Sequence, residues 1–384
     1  MELCKVKIHR KQEIGSAVSQ ITLDDDYNVP DYRPDIVKVL KEKGELRFDE
    51  VKAGAGFVWV KGSLGFRVLY RSEQGNGKIS CLKGELPFQE KLNIDGVKES
   101  DQIAAEGEIE DLTVGVINSR KLSIRAVAVL SVRAEEELDE ELTARPQAEG
   151  EYEQKLVTRE GMTLLAASRD VCRQKSETVL PSSKPNVREI LWRSIELRNV
   201  ESRIQDGKVL LDGEVLIAVL YSEEEETERL QWYETTVPLE CGTDCGVEEE
   251  DIICKVKVTP VSMELEVKPD YDGEERILVL ELALHVDIRV WKEERLELLE
   301  DVYSLKKILP VYRQRILEKL LVKNYAKSRI AEQIELPEKQ ERILQICACE
   351  GKVSLERRML VENGVQAEGS IVVELLYITT DDNM

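Results

Sequence analysis

Three stretches of this chain alternate apolar and mixed residues with period two and share their end residues. Gly62 to Tyr70 reads Gly-Ser-Leu-Gly-Phe-Arg-Val-Leu-Tyr, Gly213 to Tyr221 reads Gly-Glu-Val-Leu-Ile-Ala-Val-Leu-Tyr, and Gly369 to Tyr377 reads Gly-Ser-Ile-Val-Val-Glu-Leu-Leu-Tyr. Period two is the pattern of a strand with one buried face. That face would carry Leu64, Phe66, Val68 and Tyr70, then Val215, Ile217, Val219 and Tyr221, then Ile371, Val373, Leu375 and Tyr377. Ser63, Arg67, Glu214, Ser370 and Glu374 fall on the opposite faces. The repetition predicts one β unit present three times.

The flanking pattern extends each copy. Ahead of the first, Asn28-Val29-Pro30 and Pro34 to Leu40 predict a short helical or turn-like segment after a proline start. Glu45 to Val51 reads as a strand, Ala53 to Gly56 as a turn and Phe57 to Val60 as the lead into the core strand, together a β-hairpin. Ser72 to Gly77 reads as a polar loop, Lys78 to Phe88 as a returning strand, and Asp101–Val116 with Lys121–Val132 as a second long hairpin. Its last strand puts Leu122, Ile124, Ala126, Ala128, Leu130 and Val132 on one face. The acidic run Glu135 to Glu141 and the Arg145-Pro146-Gln147 break are expected to close the unit.

The second copy repeats the first without gaps. Pro30, Pro34, Ile36, Tyr70 and Pro87 become Pro181, Pro185, Val187, Tyr221 and Pro238, each 151 residues later. Its final strand, Ile277 to Val290, points Leu278, Leu280, Leu282, Leu284, Val286, Ile288 and Val290 inward. The pattern restarts in Leu305 to Glu335, where Arg315 to Val322 is helix-compatible. The third copy keeps an offset of 307 from Pro30/Pro337 to Tyr70/Tyr377 and stops seven residues after Tyr377. It lacks everything equivalent to residues 78–132, which suggests a truncated unit whose Gly369–Tyr377 edge would pair with a neighbouring unit or a second chain. The expected fold is mainly β, with tandem antiparallel β-sandwich or barrel-like domains and short helical segments. Domain 1 is placed at 1–147, domain 2 at 148–304 and a partial domain 3 at 305–384.

Composition narrows the class. The 384 residues are 42% hydrophobic and 34% charged, as in globular proteins rather than disordered ones. A formal net charge of −22 argues against nucleic acid and anionic membranes as direct partners. No apolar run reaches the length of a transmembrane helix, and the charged amino terminus is unlike a secretory signal, so a cytoplasmic location is expected. The eight cysteines are spread too thinly for a disulfide-stapled fold and read as reduced thiols.

Candidate chemistry is sparse. The chain has two histidines, His9 in a basic amino-terminal segment and His285 on the polar face of its strand with Glu281, Asp287 and Arg289. A histidine-based nucleophilic site would have to use one of them, and neither has a suitable setting. Cys241 and Cys245 have zinc-like spacing, with Cys254 nearby, while Cys347 and Cys349 are separated by one residue. Neither pair recurs in the first copy, so a metal site is not expected. The carboxylates of Glu223–Glu226 and Glu248–Asp251 read as solvated loop charges. The Asp-Gly pairs at 95–96, 206–207, 212–213 and 272–273 read as turns. Trp59, Trp192, Trp232 and Trp291 could stack sugars but fit core or subunit contacts better. No phosphate-binding, metalloprotease or serine-hydrolase motif occurs. These residues offer no enzyme, and no catalytic, cofactor or metal residue is assigned.

Pro34-Asp-Ile-Val-Lys-Val-Leu40 with Gly62–Tyr70, and Pro185-Asn-Val-Arg-Glu-Ile-Leu191 with Gly213–Tyr221, resemble the SPOCS domain of the SipL family. Pro337 to Tyr377 is a looser third match that lacks the second proline. The resemblance implies a non-enzymatic sporulation protein of the mother-cell cytoplasm, acting at the forespore surface to build the spore coat. It also implies the coat-basement ATPase SpoIVA and other coat proteins as partners. Family members commonly carry a carboxy-terminal LysM domain, which has no counterpart in these residues. The alternative reading is a glycan- or peptidoglycan-binding β-rich protein, marked by an exposed aromatic row.

Overall fold

A computed structural model describes residues 2–73, 78–147, 152–224, 229–249, 251–305, 309–323, 328–337 and 342–379. Their regular structure is all antiparallel β-strand. The first unit comprises β1 (Glu2–Asn28), β2 (Ile36–Gly54), β3 (Phe57–Ser72), β4 (Ile79–Asn93), β5 (Gln102–Asn118) and β6 (Lys121–Gln147). These form two three-stranded sheets, β2-β3-β4 and β1-β6-β5. The second unit repeats them with β7 (Tyr152–Val179), β8 (Val187–Gln205), β9 (Lys208–Glu223), β10 (Leu230–Asp244), β11 (Ile252–Pro269) and β12 (Glu275–Ser304), in sheets β8-β9-β10 and β11-β12-β7. The third contributes one hairpin, β13 (Ile343–Val361) with β14 (Gly364–Thr379).

Each complete unit is a sandwich, because the two alternating faces pack on one another. Leu64, Phe66, Val68 and Tyr70 meet Leu122, Ile124 and Ala126 across the first core. Val215, Ile217, Val219 and Tyr221 meet Leu278 through Val290 across the second. The predicted inward faces of β3, β6, β9 and β12 are therefore the observed ones. Such burial contributes about 1.5–3 kcal/mol for each large apolar side chain.

Both ends of the repeated strand have a physical cause. A β-bulge in the preceding strand brings the carbonyl of Arg47, Arg198 or Ser354 against the α-carbon of Gly62, Gly213 or Gly369, where a Cβ would collide with it at Gly62 and Gly369 and crowd it at Gly213. The three carbonyls occupy equivalent positions in the three copies. At the other end the phenols of Tyr70 and Tyr221 donate to the carbonyls of Pro34 and Pro185, at 3.1 and 3.2 Å.

Several expectations are corrected. The segment after Pro30 is a turn leading directly into β2, and the described residues contain no helix, including 315–322, which run without regular structure. Most of the Ser72–Gly77 loop lies outside the described residues. The acidic run 135–141 is not a loop but the continuation of β6 to Gln147, with a basic segment of β1 laid beside it. Lys5 pairs with Glu141, Arg10 with Glu140 and Lys11 with Glu137. Opposite charges on facing strands favour that register. Asp95-Gly, Asp206-Gly and Asp272-Gly are turns with left-handed glycines, whereas Asp212-Gly213 sits inside β9 at its bulge contact.

The third hairpin departs most. Ile371, Val373 and Leu375 are 48%, 49% and 42% exposed, although their equivalents in the first two copies are buried. No second sheet lies over them among the described residues. Residues 309–323, at the chain positions of β1 and β7, take no strand conformation because a strand of this kind needs a β6-like neighbour to pair with. The unequal burial predicts unequal mutational cost. Phe66→Ala should destabilise the protein by about 3–5 kcal/mol in denaturant unfolding. Val373→Ala, at the equivalent position, should stay within about 0.5 kcal/mol of wild type.

Candidate protein-interaction surface

The outer faces of the core strands converge on one point. Leu69 of β3, Leu220 of β9 and Leu376 of β14 are equivalent residues in the three copies, and so are Leu40, Leu191 and Cys347. All six belong to a single cluster, completed by Ile79, Trp192, Ala348, Leu230, Trp232 and Ile378. Equivalent residues of all three units therefore meet in one place. Lys41, at 8% exposure, lies within this junction. Its ammonium reaches Glu374 at 2.7 Å and stands 5.7 Å above the Trp192 ring.

A second contact joins the units at the outer sheets. Ile8 and Leu142 of the first unit meet Leu296 of the second, with Leu317 of the irregular segment added. Ion pairs surround this contact: Arg289 with Glu135 at 2.6 Å, Arg145 with Glu297 at 2.5 Å and Arg315 with Glu140 at 2.6 Å. The Met162 amide donates to the Glu318 carbonyl at 2.9 Å, which holds the irregular segment against β7.

The open face of the third hairpin is the candidate interaction surface among the described residues. Val353 and Leu355 of β13, with Val365, Ile371, Val373 and Leu375 of β14, expose between 42% and 66% of their area. A contiguous apolar sheet face of this kind marks a site of association. The β14 edge that corresponds to the β4-pairing edge of β3 is unpaired among the described residues.

The singled-out residues are scattered over the molecule. His9 is exposed and sits 2.6 Å from the Asp139 carboxylate across the β1–β6 ladder. His285 lies on the outward polar face of β12, beside the Lys175–Glu281 and Arg169–Asp287 pairs, where alternation predicts it. Cys172 and Cys241 form a disulfide between β7 and β10 with a Cα separation of 6.2 Å, which corrects the reading of all eight cysteines as thiols. It also removes Cys241 from the pair with zinc-like spacing. The cause is topological: the two positions face each other across the second sandwich. The Cys245 thiol donates to the Gly207 carbonyl, and the described residues contain no metal-binding cluster.

Trp192 and Trp232 lie in the three-way junction, Trp59 packs edge-on against Phe57, and Trp291 is half-buried in β12. They form no common row. Of the acidic loops, residues 225, 226 and 250 lie outside the described residues. Glu223 is buried and accepts a hydrogen bond from the Gln231 amide at 3.0 Å.

Two arginines escaped the sequence reading. The Arg120 guanidinium donates to the carbonyls of Val29, Pro30 and Arg33 and to Asp35. Arg276 donates to the carbonyls of Leu180, Pro181 and Lys184 and to the Asn186 side chain. Each arginine pins the proline-rich loop that leads into its unit. They stand 156 residues apart rather than 151, because the β11–β12 turn is longer than the β5–β6 turn, so a constant offset misses them.

Residues 35–117 and 186–268 each match the family described as SipL, SPOCS domain. These two stretches, spanning β2–β5 and β8–β11, are SPOCS domains, and the match points to a sporulation-related role. No curated protein and no solved structure matches the chain.

The phenols that lock the loops give a pH signature. Burial pushes the Tyr221 phenol up to about 12, and burial also raises Tyr70. A folded-state value above the unfolded one, about 10, means that this stability is complete below pH 10 and is lost as pH rises toward 12. Tyr221→Phe should cost about 1 kcal/mol at neutral pH through the lost hydrogen bond. It should also show a smaller fall in unfolding free energy than wild type between pH 9 and pH 12, measured by urea denaturation.

Proposed function

We propose that this chain, which carries two SPOCS domains, is a non-enzymatic assembly protein of the spore coat. It would act in the mother-cell cytoplasm at the forespore surface, holding coat proteins there through the coat-basement ATPase SpoIVA. The SPOCS match supports the sporulation setting. The observation that carries the assembly reading is the combination of two closed sandwiches with a third, open β-hairpin around one shared apolar cluster. Closed units supply stability, while an apolar sheet face supplies a place for another β-rich surface to add. Repeated modest contacts of this kind multiply by avidity.

The same open face supports self-association, since β14 can add edge to edge with β14 of a second copy. A lysine on the open face, Val373→Lys, should then shift the species seen by sedimentation velocity toward monomer. A wild-type protein that is monomeric at all concentrations would refute that part of the reading.

The wider proposal is tested by tagging the protein in sporulating cells. The expected result is a fluorescent shell around the forespore, with SpoIVA recovered in the pull-down and both signals reduced by Val373→Lys. A diffuse fusion that recovers no coat protein would overturn it.

A further inference from the structure

The two sheets of the second sandwich meet along one side without a hydrogen-bonded ladder. β7 is the outer strand of the sheet β11-β12-β7, and β10 is the outer strand of β8-β9-β10. Side chains close the seam between these edges. The Gln174 amide donates to the Pro238 carbonyl at 2.7 Å, its oxygen accepts from the Glu240 amide at 3.2 Å, and Thr243 donates to the Asp170 carboxylate. Between these contacts lies the Cys172–Cys241 disulfide, which joins residues 69 apart in the chain.

The first unit builds the same seam without the bond. At the offset of 151, Cys172 corresponds to Ile21 of β1 and Cys241 to Glu90 of β4. The strand pairing agrees, since Glu90 stands opposite Val60 as Cys241 stands opposite Leu211. There the Ser19 hydroxyl donates to the Glu90 carboxylate across the two edges at 2.7 Å. A sandwich of this topology therefore closes without a covalent link, and the disulfide is an addition to the fold rather than a condition of it.

The two sulfurs differ in access. Cys172 is 6% exposed and belongs to the second core, whereas Cys241 is only partly buried at the edge of that core. Cys245 and Cys254, the other cysteines of the unit, are free, and the Cys245 thiol is occupied by the Gly207 carbonyl. A disulfide that small thiols can reach is the labile, exchangeable kind, while a fully enclosed one persists.

We propose that the Cys172–Cys241 bond is a reversible redox lock on the β7/β10 seam. In the opening direction the thiolate of a glutathione-class small thiol attacks the Cys241 sulfur. The S–S bond breaks, and the Cys172 sulfur leaves as a thiolate that takes up a proton. A second small thiol displaces Cys241 from the mixed disulfide, so two small thiols become one disulfide and two protein thiols are formed. A low-molecular-weight disulfide runs the same steps backwards and closes the lock. Closed, the edges are tied at a Cα separation of 6.2 Å. Open, they rest on side-chain hydrogen bonds and core packing, and the seam opens locally. The response is confined to the second unit, because the first has no cysteine at either position. Such a lock stiffens one of the two sandwiches when reducing conditions give way to oxidising ones.

The test follows the full chain by differential alkylation with mass spectrometry and by hydrogen–deuterium exchange, after oxidised glutathione and after dithiothreitol, both without denaturant. Cys172 and Cys241 should resist alkylation after oxidation, react after dithiothreitol, and resist again when oxidised glutathione is restored. Amides of 168–176 and 236–244 should exchange at least about tenfold faster in the reduced chain, while those of 17–25 and 86–93 stay unchanged. Cys241→Ser, at the partly exposed position, should exchange at the fast rate under both conditions, and Cys172→Ala serves the same purpose should the serine variant fold poorly. Alkylation of both cysteines in the oxidised chain, a bond that yields to dithiothreitol only in denaturant, or equal exchange in the two states would overturn the proposal.

Discussion

Everything in this molecule depends on a strand that must bury both of its faces. In β9 every residue from Val215 to Glu223 is buried, the inner face by the second sheet of its own sandwich and the outer face by neighbouring units. A strand so enclosed cannot carry a side chain where a bulged neighbour's carbonyl approaches, which is why Gly62, Gly213 and Gly369 stand at the same point. It cannot leave its phenol unpaired either, and the proline loop supplies the carbonyl. Packing sets the stability of the units, and charge sets which edges meet.

The division of labour between apolar contact and charge is visible at each junction. Leu69, Leu220 and Leu376 provide a centre common to all three copies and indifferent to which unit contributes it. The surrounding residues break that symmetry. Lys41 with Glu374 fixes the third hairpin on the first unit, while Arg289 with Glu135 fixes the second unit on the outer sheet of the first. Partly exposed pairs of this type add little stability, commonly about 0–1 kcal/mol, but they penalise wrong registers. Triplicated sequence thereby yields a cluster with a defined order of units.

Much of this was legible in the sequence. Period-two alternation gave the inner faces of β3, β6, β9 and β12, because a sandwich core reads directly as every second residue. The constant offset gave the duplication, and the family resemblance followed from it. What was hidden depended on distant partners. The acidic run of β6 becomes a strand only because β1 brings Lys5, Arg10 and Lys11 alongside. The Cys172–Cys241 bond requires knowing that β7 and β10 face each other. The exposure of Ile371, Val373 and Leu375 contradicts their alternation, since pattern reports what a face is suited to cover and not whether a cover is present. The three-way junction was hidden because Ser63, Arg67 and Glu374 made the outer face look solvated, although Leu69, Leu220 and Leu376 on the same face are buried.

The central claim is that one strand type occurs three times, enclosed on both sides in two copies and open on one side in the third. Hydrogen–deuterium exchange on the intact chain, followed peptide by peptide, tests it most directly. Amides of 62–70 and 213–221 should exchange only on global unfolding, while those of 369–377 should exchange at least about 100-fold faster through local opening. Equal protection of all three strands would contradict the account.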